Sequence, residues 1–128
     1  MDYHFSKIVQ LNFEEAVTAV TAALQAEGFG VLTDIDLKAT FHKKLGIDIR
    51  PYRILGACHA PSAFQAVQAE ERIGLMLPCN VIVRETKEGA VEVSAVDPVA
   101  SMQAIQNQSL GQVATSVREK LQQAIERV

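Results

Sequence analysis

The chain has 128 residues, 48% of them hydrophobic and 21% charged, which fits one globular domain with its own core and excludes a disordered chain. Its formal charge of −3 lacks the basic surplus with which a general nucleic-acid binder displaces counterions. No apolar run approaches the ~20 residues of a membrane span, and with no Trp, two Tyr and five Phe the core must be mostly aliphatic.

Tyr3 to Val9 reads as a strand, with Tyr3, Phe5 and Ile8 as its β-formers. From Phe13 the period changes: Phe13, Val17, Val20 and Leu24 are spaced four, three and four apart, one stripe of an amphipathic helix. Asn12 followed by Glu15 matches a capping box, and Gly28 suits the left-handed turn after the last helical residue. Val31 to Lys38 alternates as a strand, with Val31, Thr33, Ile35 and Leu37 on one side and Leu32, Asp34, Asp36 and Lys38 on the other. Thr40 to Leu45 is a short helix ended by Gly46, and Tyr52 to Cys58 is a strand small and apolar enough to be central. Pro61 can occupy the first position of a further helix, whose apolar stripe starts with Phe64 and Val67.

Asn80 to Thr86 and Ala90 to Val96 form a hairpin around Lys87-Glu88-Gly89. Asp97-Pro98 pairs an N-cap with a first-turn proline and opens a short helix to about Ile105. After a break near Asn107, Ser109 and Gln112 open a final helix carrying Leu110, Val113, Val117, Leu121 and Ile125. The order β-α-β-α-β-α-β-β-α-α predicts a single α+β domain over residues 1–128, with a mostly antiparallel sheet of about five strands and helices mainly on one face.

The start, Met1-Asp2-Tyr3-His4-Phe5, has neither the basic nor the apolar region of an export signal, so a cytoplasmic location and free thiols are expected for the two cysteines. Cys58-His59 ends one strand and Cys79 opens the next. Together they could form a redox pair or soft metal ligands, but no Cys-x-x-Cys is present and a tetrahedral site would need distant ligands. Parallel flanking strands would put the two thiols a strand length apart, beyond disulfide reach, an objection that fails if the strands are antiparallel. Buried structural cysteine is the favoured reading.

His4 and His42 have no carboxylate or nucleophile beside them in sequence, and Ser62 lacks a Gly-x-Ser-x-Gly context. Gly28-Phe29-Gly30 lacks the third glycine of a dinucleotide fingerprint. Asp34 and Asp36 share a strand face, with Cβ atoms about 7 Å apart, and read as a cation or acid/base pair or, more simply, as a solvated face. The segment Lys38 to Arg53 sets Lys38, Lys43, Lys44, Arg50 and Arg53 against Asp48 alone, a local +4 that leaves −7 for the rest. It reads as an ordinary basic loop, with an anion site or a charge-complementary self-contact as the functional version.

Lys43-Lys44-Leu45-Gly46, Pro51 to Cys58 (Pro-Tyr-Arg-Ile-Leu-Gly-Ala-Cys), Leu77-Pro78-Cys79-Asn80-Val81 and Asp97-Pro98 occur in this order over nearly the whole chain. In this the sequence resembles the domain-of-unknown-function family numbered three hundred and two. That resemblance implies a compact α+β domain laid out like the TATA-binding-protein fold, and a dimer; it implies no activity. His59-Ala60 before Pro61 departs from the family pattern, which often has Asn or another polar residue and a second Pro there.

The leading expectation is therefore a non-catalytic homodimer with a small-ligand pocket between sheet and helices and no cofactor. Its candidate ligand-binding residues are Cys58, His59, Cys79, Asp34, Asp36, Lys43, Lys44 and Arg53. Thiol redox or metal handling through Cys58, His59 and Cys79 stands second, and an acid/base enzyme using Asp34, Asp36 and His59 third.

Overall fold

Most element boundaries follow from local chemistry. The computed structural model describes residues 2–128, which form β1 (His4–Val9), α1 (Phe13–Ala26), β2 (Gly30–Asp36), α2 (Leu37–Leu45), β3 (Tyr52–Cys58), α3 (Ala60–Ala69), a 3-10 turn (Ile73–Met76), β4 (Cys79–Glu85), β5 (Val91–Val96), α4 (Pro98–Ser101) and α5 (Gln108–Arg127). The capping box of α1 is complete: Asn12 Oδ1 accepts from Glu15 N at 2.8 Å and Glu15 Oε1 accepts from Asn12 N at 3.4 Å. Gly46 ends α2 in the left-handed region at φ 64°, and Gly89 turns the β4–β5 hairpin at φ 82°.

The five strands form one antiparallel sheet in the order β1-β5-β4-β3-β2. Strand alternation then sorts the residues. Leu55 and Ala57, Val81 and Val83, and Val91, Val93 and Ala95 are buried beneath the helices. Asn80, Ile82, Arg84, Glu92 and Ser94, one position out of phase, face the opposite way. From α1 come Ala16, Val20, Ala23 and Leu24, and from α5 Val117, Leu121, Ala124 and Ile125. Each fully buried Leu or Val contributes about 1.5–3 kcal/mol against leaving it in water. A smaller cluster of Ala66, Ile73, Met102, Leu110 and Ala114 fastens α3 and the 3-10 turn to the first half of α5.

Three expectations are corrected by tertiary structure. A bulge lies between Val31 and Thr33 in β2, so Val31 pairs Ala57 on the helix side while Thr33 pairs Gly56 on the other, and the even alternation predicted from the sequence is broken. The second helix begins at Leu37 rather than Thr40, because Asp36 leaves the strand to become its N-cap, its Oδ1 accepting from Ala39 N at 2.9 Å. In α3 the buried residues are Ser62 and Ala66, and Phe64 and Val67 stay outside; the small side packs toward α5, with Ala66 clustered against Leu110 and Ala114. Gly56 marks another close approach, since a Cβ there would overlap the Thr33 hydroxyl and stand 2.6 Å from Pro78 Cγ.

Asp97 joins three elements. Its N–H donates to the Tyr3 carbonyl at 2.7 Å, its Oδ1 accepts from Val99 N at 2.9 Å as the cap of α4, and its Oδ2 accepts from Arg118 Nε of α5 at 3.1 Å. The Arg118 guanidinium lies 5.1 Å over the Phe5 ring of β1. Asp97 is buried and Arg118 half exposed, so the pair is worth less than a fully buried one. Asp97→Ala is expected to cost about 2 kcal/mol, the sum of a lost cap and a charged hydrogen bond discounted for solvent. Asp97→Asn, which keeps an acceptor for Val99, should lose roughly half as much, read from urea denaturation midpoints.

Candidate functional site

Antiparallel pairing of β3 with β4 sets Ala57 opposite Cys79, so Cys58 and Cys79 are diagonal neighbours at one end of the sheet. Both are free thiols, Cys79 buried and Cys58 half-buried. With His59 they line a narrow slot between sheet and helices, together with Phe29, Pro78 and Met102. The slot encloses about 30 Å³, room for a water or two and far below the few hundred Å³ of a typical small-molecule pocket. The space expected to hold a ligand is thus largely filled by the protein itself.

His59 is fixed on two sides. Its Nδ1 is 2.7 Å from the buried Ser62 hydroxyl, and its ring meets Phe29 edge-on at 5.5 Å. Gly28 at φ 86° lies against the ring, where a Cβ would come 3.2 Å from His59 Cδ2, so glycine is needed there for both backbone and space. Burial, helped by the Lys120 charge, lowers the His59 pKa and favours the neutral imidazole. Burial also raises the Cys79 thiol from 9.0 to about 11, with Cys58 adding to the push. Thiolate, the nucleophilic and metal-binding form, is thereby suppressed. Among the described residues no three His, Cys, Asp or Glu side chains gather to hold a metal ion.

The remaining sequence-predicted residues lie elsewhere. Arg53, five residues or about 17 Å along β3 from Cys58, donates to both Asp34 oxygens, Nε to Oδ1 at 2.8 Å, and approaches Glu14 at 3.8 Å. The hydrogen bond from Arg53 holds the Asp34 carboxyl below its ordinary value, outweighing its slight burial, and raises Arg53 in turn. Asp36 caps α2. Most of the local +4 is engaged nearby: Arg50 pairs Glu85 at 3.2 Å, and Lys38 Nζ donates to the Ile49 carbonyl at 2.7 Å. Lys43 and Lys44 sit in the last turn of α2, where cations favour the helix dipole, and make no ion pair among the described residues.

A different concavity lies on the sheet face that no helix covers. It measures about 460 Å³ and is lined by Tyr3, His4 and Ser6 of the first strand region, Tyr52 of β3, Asn80, Ile82 and Arg84 of β4, and Glu92, Ser94 and Val96 of β5. A chain of hydrogen bonds crosses it. His4 Nδ1 is 2.7 Å from Ser6 Oγ, Ser6 Oγ is 2.7 Å from Ser94 Oγ, and Ser94 Oγ is 3.1 Å from Glu92 Oε1. Arg84 closes the far end with Nε and Nη2 donating to Glu92 at 2.9 and 3.2 Å. Sequence reasoning missed this set. Its signal was present in the hairpin, where Asn80, Ile82, Arg84, Glu92 and Ser94 alternate with Val81, Val83 and Val93, but the pairing of β1 with β5 that adds His4 and Ser6 was not readable.

One antiparallel sheet, helices on one face and a bare, polar-centred second face define a small α+β domain whose candidate site is a sheet surface. The chain belongs to the family described as domain of unknown function DUF302, whose model matches residues 5–128. It is also similar to the crystal structure of an uncharacterized conserved protein DUF302 from Bacillus stearothermophilus, with a TM-score of 0.92 and 23% sequence identity over 99% of this chain and 98% of that one. That likeness establishes the fold. No curated protein matches the chain.

The slot yields a test. The unfolded Cys79 thiol ionises near 9 and the folded one near 11. Stability drawn from keeping it neutral is therefore fully present below pH 9 and lost as pH rises through 11. Between those values the native sequence should lose about 2–3 kcal/mol more than Cys79→Ala, measured by denaturation at each pH. In native protein a thiol reagent should modify Cys58 alone, Cys79 reacting only after unfolding.

Proposed function

We propose that this DUF302-family domain is a cytoplasmic, non-catalytic homodimer that binds a small ligand on the bare face of its sheet. The observation carrying this reading is the concavity of about 460 Å³ with an apolar floor at Ile82 and Val96 and a polar network along one side. Its size falls within the range of small-molecule sites, and a few fixed polar groups over an apolar base is the usual make-up of one. No helix of the described residues is long and apolar enough to cross a membrane.

Support for the homodimer comes from the segment following the first helix. Leu32 is 66% exposed, Leu45 64% and Ile47 52%, and Ile35 is exposed beside them in sequence. The edge strand β2 is poorly suited to accept another strand, because a bulge interrupts its ladder and two aspartates put charge on the edge. Contact through these apolar side chains is the more favourable arrangement. Thiol redox or metal handling by Cys58, His59 and Cys79 is the weaker reading, because burial keeps Cys79 protonated.

Sedimentation equilibrium is expected to give a dimer that Leu32→Glu converts to a folded monomer; a native chain that stays monomeric at all concentrations would refute the dimer. A metabolite panel read by thermal shift should contain a compound that stabilises the domain by about 2.7 kcal/mol at a hundredfold excess over its Kd. Substituting Ile82→Asp in the floor should abolish that shift, and an unaltered shift would move the ligand elsewhere.

A further inference from the structure

The hydrogen-bond chain across the bare face has only one consistent direction. Glu92 is held as a carboxylate: burial pushes it up, but the hydrogen bonds from Arg84 and Ser94 outweigh this and leave it below its ordinary value. A carboxylate only accepts, so the Ser94 hydroxyl must donate to it. With its proton committed there, Ser94 Oγ accepts from Ser6, 2.7 Å away. Ser6, its own proton committed in turn, accepts from His4 Nδ1 at 2.7 Å. That direction places a proton on His4 Nδ1, and in this tautomer Nε2, on the far side of the ring, carries the lone pair. Ser6 points its proton away from His4, which is not the arrangement of an activated nucleophile.

The charges in the lining cancel. Arg84 and Glu92 neutralise one another with bidentate geometry, so the lining's one guanidinium and one carboxylate are already engaged with each other. Apolar Ile82 and Val96 provide a base, Tyr3 and Tyr52 supply rings, and Asn80 supplies an amide with both a donor and an acceptor. Rings favour stacking with a flat partner, and an Asn amide suits an adjacent donor–acceptor pair on a heterocycle edge.

We propose that this concavity recognises an uncharged, planar nitrogen heterocycle of the free-nucleobase type, one N–H of which donates to His4 Nε2. The proposal rests on the small-ligand reading above and specifies its chemistry. Nuclear magnetic resonance titration of the full domain tests it, with adenine, hypoxanthine and uracil as probes and inorganic phosphate, acetate and glucose as contrasts. At least one heterocycle should shift resonances of Tyr52, Asn80, Ile82 and Ser94, and imidazole nitrogen shifts should report His4 protonated at Nδ1. Ser94→Ala, which breaks the chain between Glu92 and Ser6, should release that tautomer and weaken binding about tenfold, and His4→Phe should weaken it at least as much. If phosphate, acetate or glucose moves these resonances and no heterocycle does, the ligand class is wrong while a small-ligand site survives. If no probe moves them, the proposal falls and the thermal-shift panel decides separately whether any small ligand binds. If Ser94→Ala changes neither tautomer nor affinity, the role assigned to the hydrogen-bond chain is wrong.

Discussion

The molecule depends on one-sided burial of its sheet. Leu55, Val81, Val83, Val93 and Ala95 must all meet α1 and α5, and a slip of one residue in any strand would expose its aliphatic set and bury its polar one. Register is therefore held by the core. The polar network on the opposite face follows from it, because fixing Val81, Val83 and Val93 inward also fixes Asn80, Arg84, Glu92 and Ser94 outward. Packing on one face thus determines the chemistry offered on the other, over a separation of a single strand thickness.

Legibility in the sequence tracked the range of the interaction. Asn12 with Glu15, Gly46, Gly89 and Asp97-Pro98 each act on neighbours within a few residues, and the element ends they mark lie where the sequence puts them, although α2 starts earlier and α4 stops sooner than expected. Leu32 shows the opposite case. Nothing around it marks a bulge, which arises from matching β2 to β3 while Gly56 makes room for Thr33 and Pro78. Phe64 and Val67 look like a core stripe, yet the crossing with α5 selects the small side of α3. Ser6 and Ser94 are 88 positions apart, and only the strand order brings their hydroxyls together.

The same contrast separates the candidate sites. Cys58, His59 and Cys79 were conspicuous by residue type and do meet at the end of β3 and β4, where the surrounding packing leaves room for little more than water and holds Cys79 as a thiol. Arg53, conspicuous as a cation, is already held by Asp34. Tyr52, Asn80 and Ser94, each unremarkable alone, acquire a common setting from the sheet. Residue type identified reactive groups, whereas burial and pairing decided which of them face an accessible space.

The sheet order has a further consequence for biosynthesis. Of the five strands β1 is made before the others, yet its partner is β5, with His4 opposite Val96 and Val9 opposite Val91. Strands β2 to β5 are each adjacent to their neighbour in sequence and can zip up as they emerge, while β1 waits until β5 has been made. Until then Phe5 and Val9 have no sheet to join, and the nascent chain carries an unmatched, partly apolar strand that chaperones can bind.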